Sequence, residues 1–191
     1  MRLNSRLITS FSFEGKTYDI DLAFDNVLDV LDVQEDERLR DHEKAETCLL
    51  LLLGDQEYDR AKTIDLWNFI YESFIHIESK EVIKYDLKGN PMPSKNDKKD
   101  SKVIDFEVDA ERIYASFMQA YNINLFEQQG KMHWKEFQSL LGGLPSDTIM
   151  QRIIQIRQWE PSKGDSKEYK EQMEELQELY ALDDDDGEVD D

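Results

Sequence analysis

The stretch "MHWKEFQSLLGGLPSDT", residues 132–148, sets a histidine against a tryptophan and follows them with a double glycine, a proline and a polar triplet. Its reading separates an enzyme from a packed helical protein. Trp134, Phe137, Leu140 and Leu141 recur at intervals of three and four, which places them on one face of a helix. Gly142-Gly143 ends that helix, and Pro145 falls at or near the first turn of the next, with Ser146 or Asp147 offering a cap. His133 stands just before the first helix, where a histidine caps or packs. The stretch is a helical corner, with Trp134 and Phe137 as core anchors of a C-terminal unit.

Outward from the corner the same period persists. On its N-terminal side, "DAERIYASFMQAYNINL" places Ile113, Phe117, Ala120 and Tyr121 on one helical face, with Asp109 able to cap the start and Asn122 to end it in the left-handed conformation. On its C-terminal side, "IMQRIIQIRQW" carries the stripe Ile149, Ile153, Ile156, and Glu160-Pro161 stops it. In "DSKEYKEQMEELQELYAL", Asp165 with Glu168 resembles a capping box. Tyr169, Met173, Leu176 and Tyr180 form a narrow stripe there, opposite a wall of glutamates.

The N-terminal part starts differently. "LITSFSFEGKTYDIDL" alternates around Glu14-Gly15-Lys16 and puts Phe11, Phe13, Tyr18 and Ile20 on one face of a short β-hairpin, which must pack on the helices that follow. Phe24, Val27, Leu28 and Leu31 have helical spacing, with Asp21 as the expected N-cap. A second helix is expected from about Arg38 to Leu53, stopped by Gly54. Its last six residues, "CLLLLL", are apolar all round and require enclosure on every side. The third helix, "TIDLWNFIYESFIHIES", uses Trp67, Ile70, Phe74 and Ile77 as a core stripe. The surplus aromatics make a second face, so Trp67, Phe69, Tyr71 and Phe74 are the candidate partner-binding residues.

Between these parts, "KYDLKGNPMPSKNDKKDSK" breaks all periodicity. The expected layout is a hairpin-plus-helical unit over 1–85, a Lys/Pro-rich linker over 86–102, a helical unit over 103–182 and a solvated acidic tail over 183–191. The fold class is mainly α, two helical units with a small N-terminal β-hairpin.

The formal net charge is -20. Thirteen acids against two bases fall in residues 165–191 alone. Such a chain repels phosphate backbones, which argues against nucleic-acid binding. The single cysteine, Cys48, excludes an internal disulfide framework and reads as a small buried hydrophobe. The longest apolar run falls far short of the roughly 20 residues that span a bilayer. No secretion signal is visible, so a soluble intracellular protein with no membrane partner is expected.

No catalytic, cofactor-binding or metal-ligating set emerges. His42 lies in "DHEKAE", which begins like a zinc-protease motif but has Glu46 where the second histidine belongs. His76 and His133 have no second ligand nearby in sequence. Gly15-Lys16 and Gly130-Lys131 lack the earlier glycine of a phosphate loop. A calcium loop placed on Gly187 puts Leu182 where an aspartate is needed.

Residues 111–157 resemble the signature region of the phage Gp-fifteen family of siphophages and prophages of Gram-positive bacteria. The matching features are Ile113-Tyr114-Ala115-Ser116-Phe117, Asn124-Leu125, Met132-His133-Trp134, Phe137, Leu140, Gly143-Leu144-Pro145, Thr148 and Ile156-Arg157. Tyr114, Phe117, His133, Trp134, Phe137, Gly143, Pro145 and Arg157 are the structural signature. The usual Gly-Ile-Asp-Leu reads Asn122-Ile123-Asn124-Leu125 here, and Lys135 replaces a frequent second tryptophan.

The resemblance implies a non-enzymatic tail assembly chaperone that holds the tape-measure protein before the tail tube forms around it. Its implied partners are the tape-measure protein and the major tail protein, and the surplus apolar face of the third helix adds the expectation of self-association. Its implied place is the cytoplasm of the bacterial host, outside the mature virion. The alternative is an acidic DNA mimic or another phage regulatory binding protein, which needs ordered carboxylates on a rigid face. A small hydrolase has only three unconnected histidines in its favour.

Overall fold

Alternation around Glu14-Gly15 yields the expected hairpin, β1 (Ser10–Phe13) and β2 (Lys16–Asp19), antiparallel with Phe11 opposite Tyr18. Both turn residues have positive φ, 48° and 82°, the handedness that suits a two-residue turn between twisted strands. The structure, a computed structural model, describes residues 3–76, 103–162 and 164–182. Among these, seven α-helices follow the hairpin: α1 (Phe24–Glu35), α2 (Asp41–Leu53), α3 (Thr63–Ile70), α4 (Ala110–Tyr121), α5 (Trp134–Gly142), α6 (Ile149–Arg157) and α7 (Lys167–Leu179). The protein is mainly α, as the periodicity requires. The stretch 86–102, the tail 183–191 and Ile77 of the expected α3 stripe lie outside the described residues.

The chain forms two compact units. The first holds residues 3–76 and Asn124–Gly143; the second holds 103–123 and 144–182. This corrects the expectation of an unbroken C-terminal unit over 103–182. The corner helix α5 leaves the helices that flank it in sequence. Its stacked rings require flat partners, and the N-terminal unit supplies them: Phe137 stacks on Phe24 (5.0 Å, 12°) and on Trp134 (5.6 Å, 16°). Backbone pairing fixes the approach, through Trp134 N–H to the Leu22 carbonyl (2.7 Å) and Phe24 N–H to that of Met132 (2.9 Å).

In the first unit α1 and α2 form the central pair. Val27, Val30, Ala45, Cys48 and Leu49 are fully buried there. Val30 and not Leu28 completes the α1 face, and the Asp21 carboxylate accepts from the Ala23 N–H ahead of the helix without capping it. The end of α2 is not enclosed all round: Leu49, Leu52 and Leu53 are buried, while Leu50 is 57% exposed. The helix has one neighbour on each of two sides, and the side turned away from both meets water. Helix α3 runs directly into a π turn, Tyr71–Ile75, closed by His76 N–H to the Tyr71 carbonyl (2.8 Å). The wider turn rotates the apolar face, so Ile75 joins Ile70 and Phe74 in the core.

In the second unit α4, α6 and α7 pack together, and Ile113, Phe117, Met150 and Ile153 make the core. Met150 takes the place expected for Ile149, which is 38% exposed. Asn122 does end α4 in the left-handed conformation, φ 54°. Three caps differ from expectation. Asp109 stands at the N-cap of α4 but makes no side-chain capping bond. Pro145 lies a turn ahead of α6, whose N-cap is Thr148; the Thr148 hydroxyl donates to the Pro145 carbonyl (2.7 Å). Ser166 caps α7 by accepting from the Tyr169 N–H (3.2 Å), while Asp165 accepts from Ser162.

Candidate partner-binding site

The four aromatics of the α3 segment divide into two groups. Trp67 and Tyr71, one turn apart, meet at 5.6 Å, with Trp67 buried and Tyr71 half-buried. Phe69 and Phe74 meet edge to face at 6.0 Å and receive the hairpin. Phe11 lies 5.7 Å from Phe69 and 5.4 Å from Phe74, and Phe13 lies 5.3 Å from Phe69. The chain's own hairpin therefore covers much of the surplus face. Phe74 is 9% exposed, whereas Phe69 keeps 37% of its surface in solvent. A cluster of tilted and edge-to-face phenylalanine rings with one open edge is suited to dispersion contact with another apolar surface and offers no group for acid–base or nucleophilic work.

The signature residues serve architecture in two places. In the first unit His133 caps α5: its Nδ1 accepts from the Lys135 N–H (3.1 Å), which leaves Nε2 as donor to the Ile8 carbonyl (3.1 Å). Trp134 is fully buried and its indole N–H donates to the Ile75 carbonyl (3.1 Å). Phe137 completes the stack, and Gly143 takes the C-cap. In the second unit Phe117 is fully buried, Tyr114 is half-buried, and Pro145 is exposed in the turn before α6.

Arg157 has the most specific surroundings. Its guanidinium donates to both Asp109 carboxylate oxygens (2.5 and 3.0 Å), to the Val103 carbonyl (2.9 Å) and to the Tyr180 carbonyl (2.7 Å). Arg112 reaches the same carboxylate at 2.9 Å. The Asp109 side chain is 0% exposed and that of Arg157 8%. Burial alone would raise the Asp109 carboxyl, but the donors from Arg157, the Asp105 backbone and Arg112 outweigh it and hold the group below its ordinary value. This clasp ties the beginning of α4 to the ends of α6 and α7. Sequence reading placed Asp109 as a cap and missed the clasp; the Asp109/Arg112 spacing of three was its one local sign.

The histidines do not converge. His42 is exposed, 3.9 Å from Glu46, and among the described residues no group of three His, Cys, Asp or Glu is placed to hold a metal ion. Cys48 is buried, which pushes its thiol up, and Gln34 donates to its sulfur (3.1 Å). Among the described residues no helix is long and apolar enough to cross a membrane.

The described residues define a mainly helical protein with an N-terminal β-hairpin docked on an aromatic cluster. The chain belongs to the Bacteriophage Gp15 protein family, whose pattern it matches over residues 3–182. The family is non-catalytic and is linked in general terms to phage tail morphogenesis. No curated protein and no solved structure matched the chain.

Proposed function

We propose that this protein is a tail assembly chaperone that binds the tape-measure protein during long-tail morphogenesis, in the cytoplasm of the bacterial host. Family membership across nearly the whole chain carries the reading. The open edge of Phe69 supports it as the place where an amphipathic helix of the client docks. The net charge of -20 supports it too, because a charged carrier keeps an apolar client dispersed. Self-association, contact with the major tail protein and absence from the finished virion belong to the same proposal.

The test is co-expression with the tape-measure protein, followed by pull-down and light scattering. Phe69→Glu places its charge at a position already 37% in solvent, so the fold should survive. Capture of the client should fall about tenfold or more, the effect of losing an aromatic anchor. Unchanged capture and unchanged solution mass in a folded Phe69→Glu variant would exclude this surface.

A further inference from the structure

The two outer edges of the hairpin are treated differently. The Ile20 N–H donates to the Thr9 carbonyl (2.9 Å), so alternation makes Phe11/Tyr18 and Phe13/Lys16 the other hydrogen-bonded pairs. Ser10 and Ser12 of β1, and Thr17 and Asp19 of β2, then turn their backbone groups outward. On β2 the edge is closed at Asp19, because Gln56 mimics a strand: its Oε1 accepts from the Asp19 N–H (2.9 Å) and its Nε2 donates to the Asp19 carbonyl (2.7 Å). Lys16 adds a bond to the Glu57 carbonyl on the same side. On β1 the His133 ring meets the Ile8 carbonyl, and past it no group among the described residues meets the backbone N–H and C=O of Ser10 and Ser12.

Ile8, two residues before the open edge, lines a cavity of about 310 Å³. Leu7, Ile8, Leu22 and Phe74 give it an apolar lining, and Arg6, Lys135 and His133 stand on it as well. Leu7 and Ile8 are 38% and 43% exposed. Among the described residues neither Arg6 nor Lys135 has an acidic partner. On a chain of net charge -20, two unpaired cations beside an apolar pocket select an acidic occupant with an aliphatic or aromatic anchor.

We propose that the outer edge of β1 and the adjoining pocket form a docking site for an extended, acidic–apolar segment of another protein, which adds to the hairpin as a third strand. Main-chain bonds to Ser10 and Ser12 hold the segment, one side chain enters the pocket between Ile8, Leu22 and Phe74, and flanking carboxylates meet Arg6 and Lys135. Four residues of strand make a short edge, which suits reversible binding and limits uncontrolled strand addition. The pocket shares Phe74 with the ring cluster that holds Phe69, but the strand edge at Ser10 and Ser12 is not part of the helix-docking proposal, and the site holds whether or not the tape-measure protein is the client.

A fluorescein-labelled peptide that alternates isoleucine with aspartate is the probe, with its lysine counterpart as control, and anisotropy is the readout on the full chain. The acidic peptide should bind about tenfold tighter than the lysine peptide, and the double variant R6E/K135E should reverse that order. Ser12→Pro removes an outward N–H at an edge position that tolerates proline, and should weaken binding about tenfold. Thr17→Pro does the same on the opposite edge and should leave binding within about twofold. Hydrogen exchange should show the Ser10 and Ser12 amides slowed by the peptide in the unaltered protein, a readout that needs no variant to fold. Equal losses in the two proline variants, no amide protection, or no saturable binding would overturn the proposal. So would a dimer that Ser12→Pro converts to monomer, because the edge would then belong to a second copy of the chain.

Discussion

Replacing Arg157 with methionine removes the cation of the clasp while keeping most of its apolar stem. The Asp109 carboxylate, with no exposure of its own, then keeps only Arg112 and the Asp105 N–H as partners. Breaking a buried ion pair on one side costs about 3–5 kcal/mol, because a charge is left without compensation. Arg112 remains at 2.9 Å, so the low end, about 3 kcal/mol, is expected. For a chain of this size that lowers the melting temperature by about 6–12 °C.

The pH dependence carries a sign. In the parent the Asp109 carboxyl is depressed, so its stabilisation is complete above the unfolded carboxylate range and is lost as pH falls through the folded value. In Arg157→Met burial dominates and raises the carboxyl. The deficit should therefore be largest at pH 7 and shrink as the solution is acidified, because the variant's carboxyl takes up its proton before the parent's does. Thermal melts followed by circular dichroism at several pH values measure both effects. The double variant Arg157→Met, Asp109→Leu should regain most of the loss, since an apolar pair needs no compensation. A single variant that melts within about 2 °C of the parent at pH 7 would refute the clasp as a stabilising element.

Two further outcomes test the corner. Trp134→Ala and Phe137→Ala should each cost about 3–5 kcal/mol in denaturant melts, because both rings are essentially without exposure; a loss below about 1 kcal/mol would contradict the stack. Replacing His42, His76 and His133 together with alanine should leave client capture intact, with a stability loss of about 1 kcal/mol traceable to the His133 cap; a stoichiometric zinc lost in that variant would contradict the non-catalytic reading.

The helical corner was legible because three- and four-residue spacing reports a buried face directly. What covers the face is a different kind of information. Nothing in "MHWKEFQSLL" says that its rings stack on Phe24, more than a hundred residues earlier, and not on the helices beside it. Asp109 misled for a related reason. An aspartate ahead of a helix reads locally as a cap, but its chief partner is Arg157, 48 residues on. The rotation of α6 followed from that pair. Apolar residues at 149, 150, 153, 154 and 156 permit more than one stripe, and the turn of Arg157 toward Asp109 selects Met150 and Ile153. In the candidate site the aromatic surplus of α3 and the need of the hairpin for a helical support were each visible in the sequence. That one need answers the other, leaving Phe69 more open than Phe74, depends on the π turn at Tyr71–Ile75, which has no sequence signature.

The interleaving of the two units has a consequence for biosynthesis. The carbonyl of Ile75 leaves the ribosome 59 residues ahead of the indole that it receives. At about 5–20 residues per second the interval is roughly 3–12 s. Throughout it α1 and α2 can pair, but the surface of Phe24 that Phe137 covers stays bare. The first unit, although it begins the chain, is completed only when Gly143 has emerged. A nascent fragment ending in the stretch 77–102 would lack the stack altogether. The half-made unit therefore exposes apolar surface that the finished unit covers, and its completion waits on the corner.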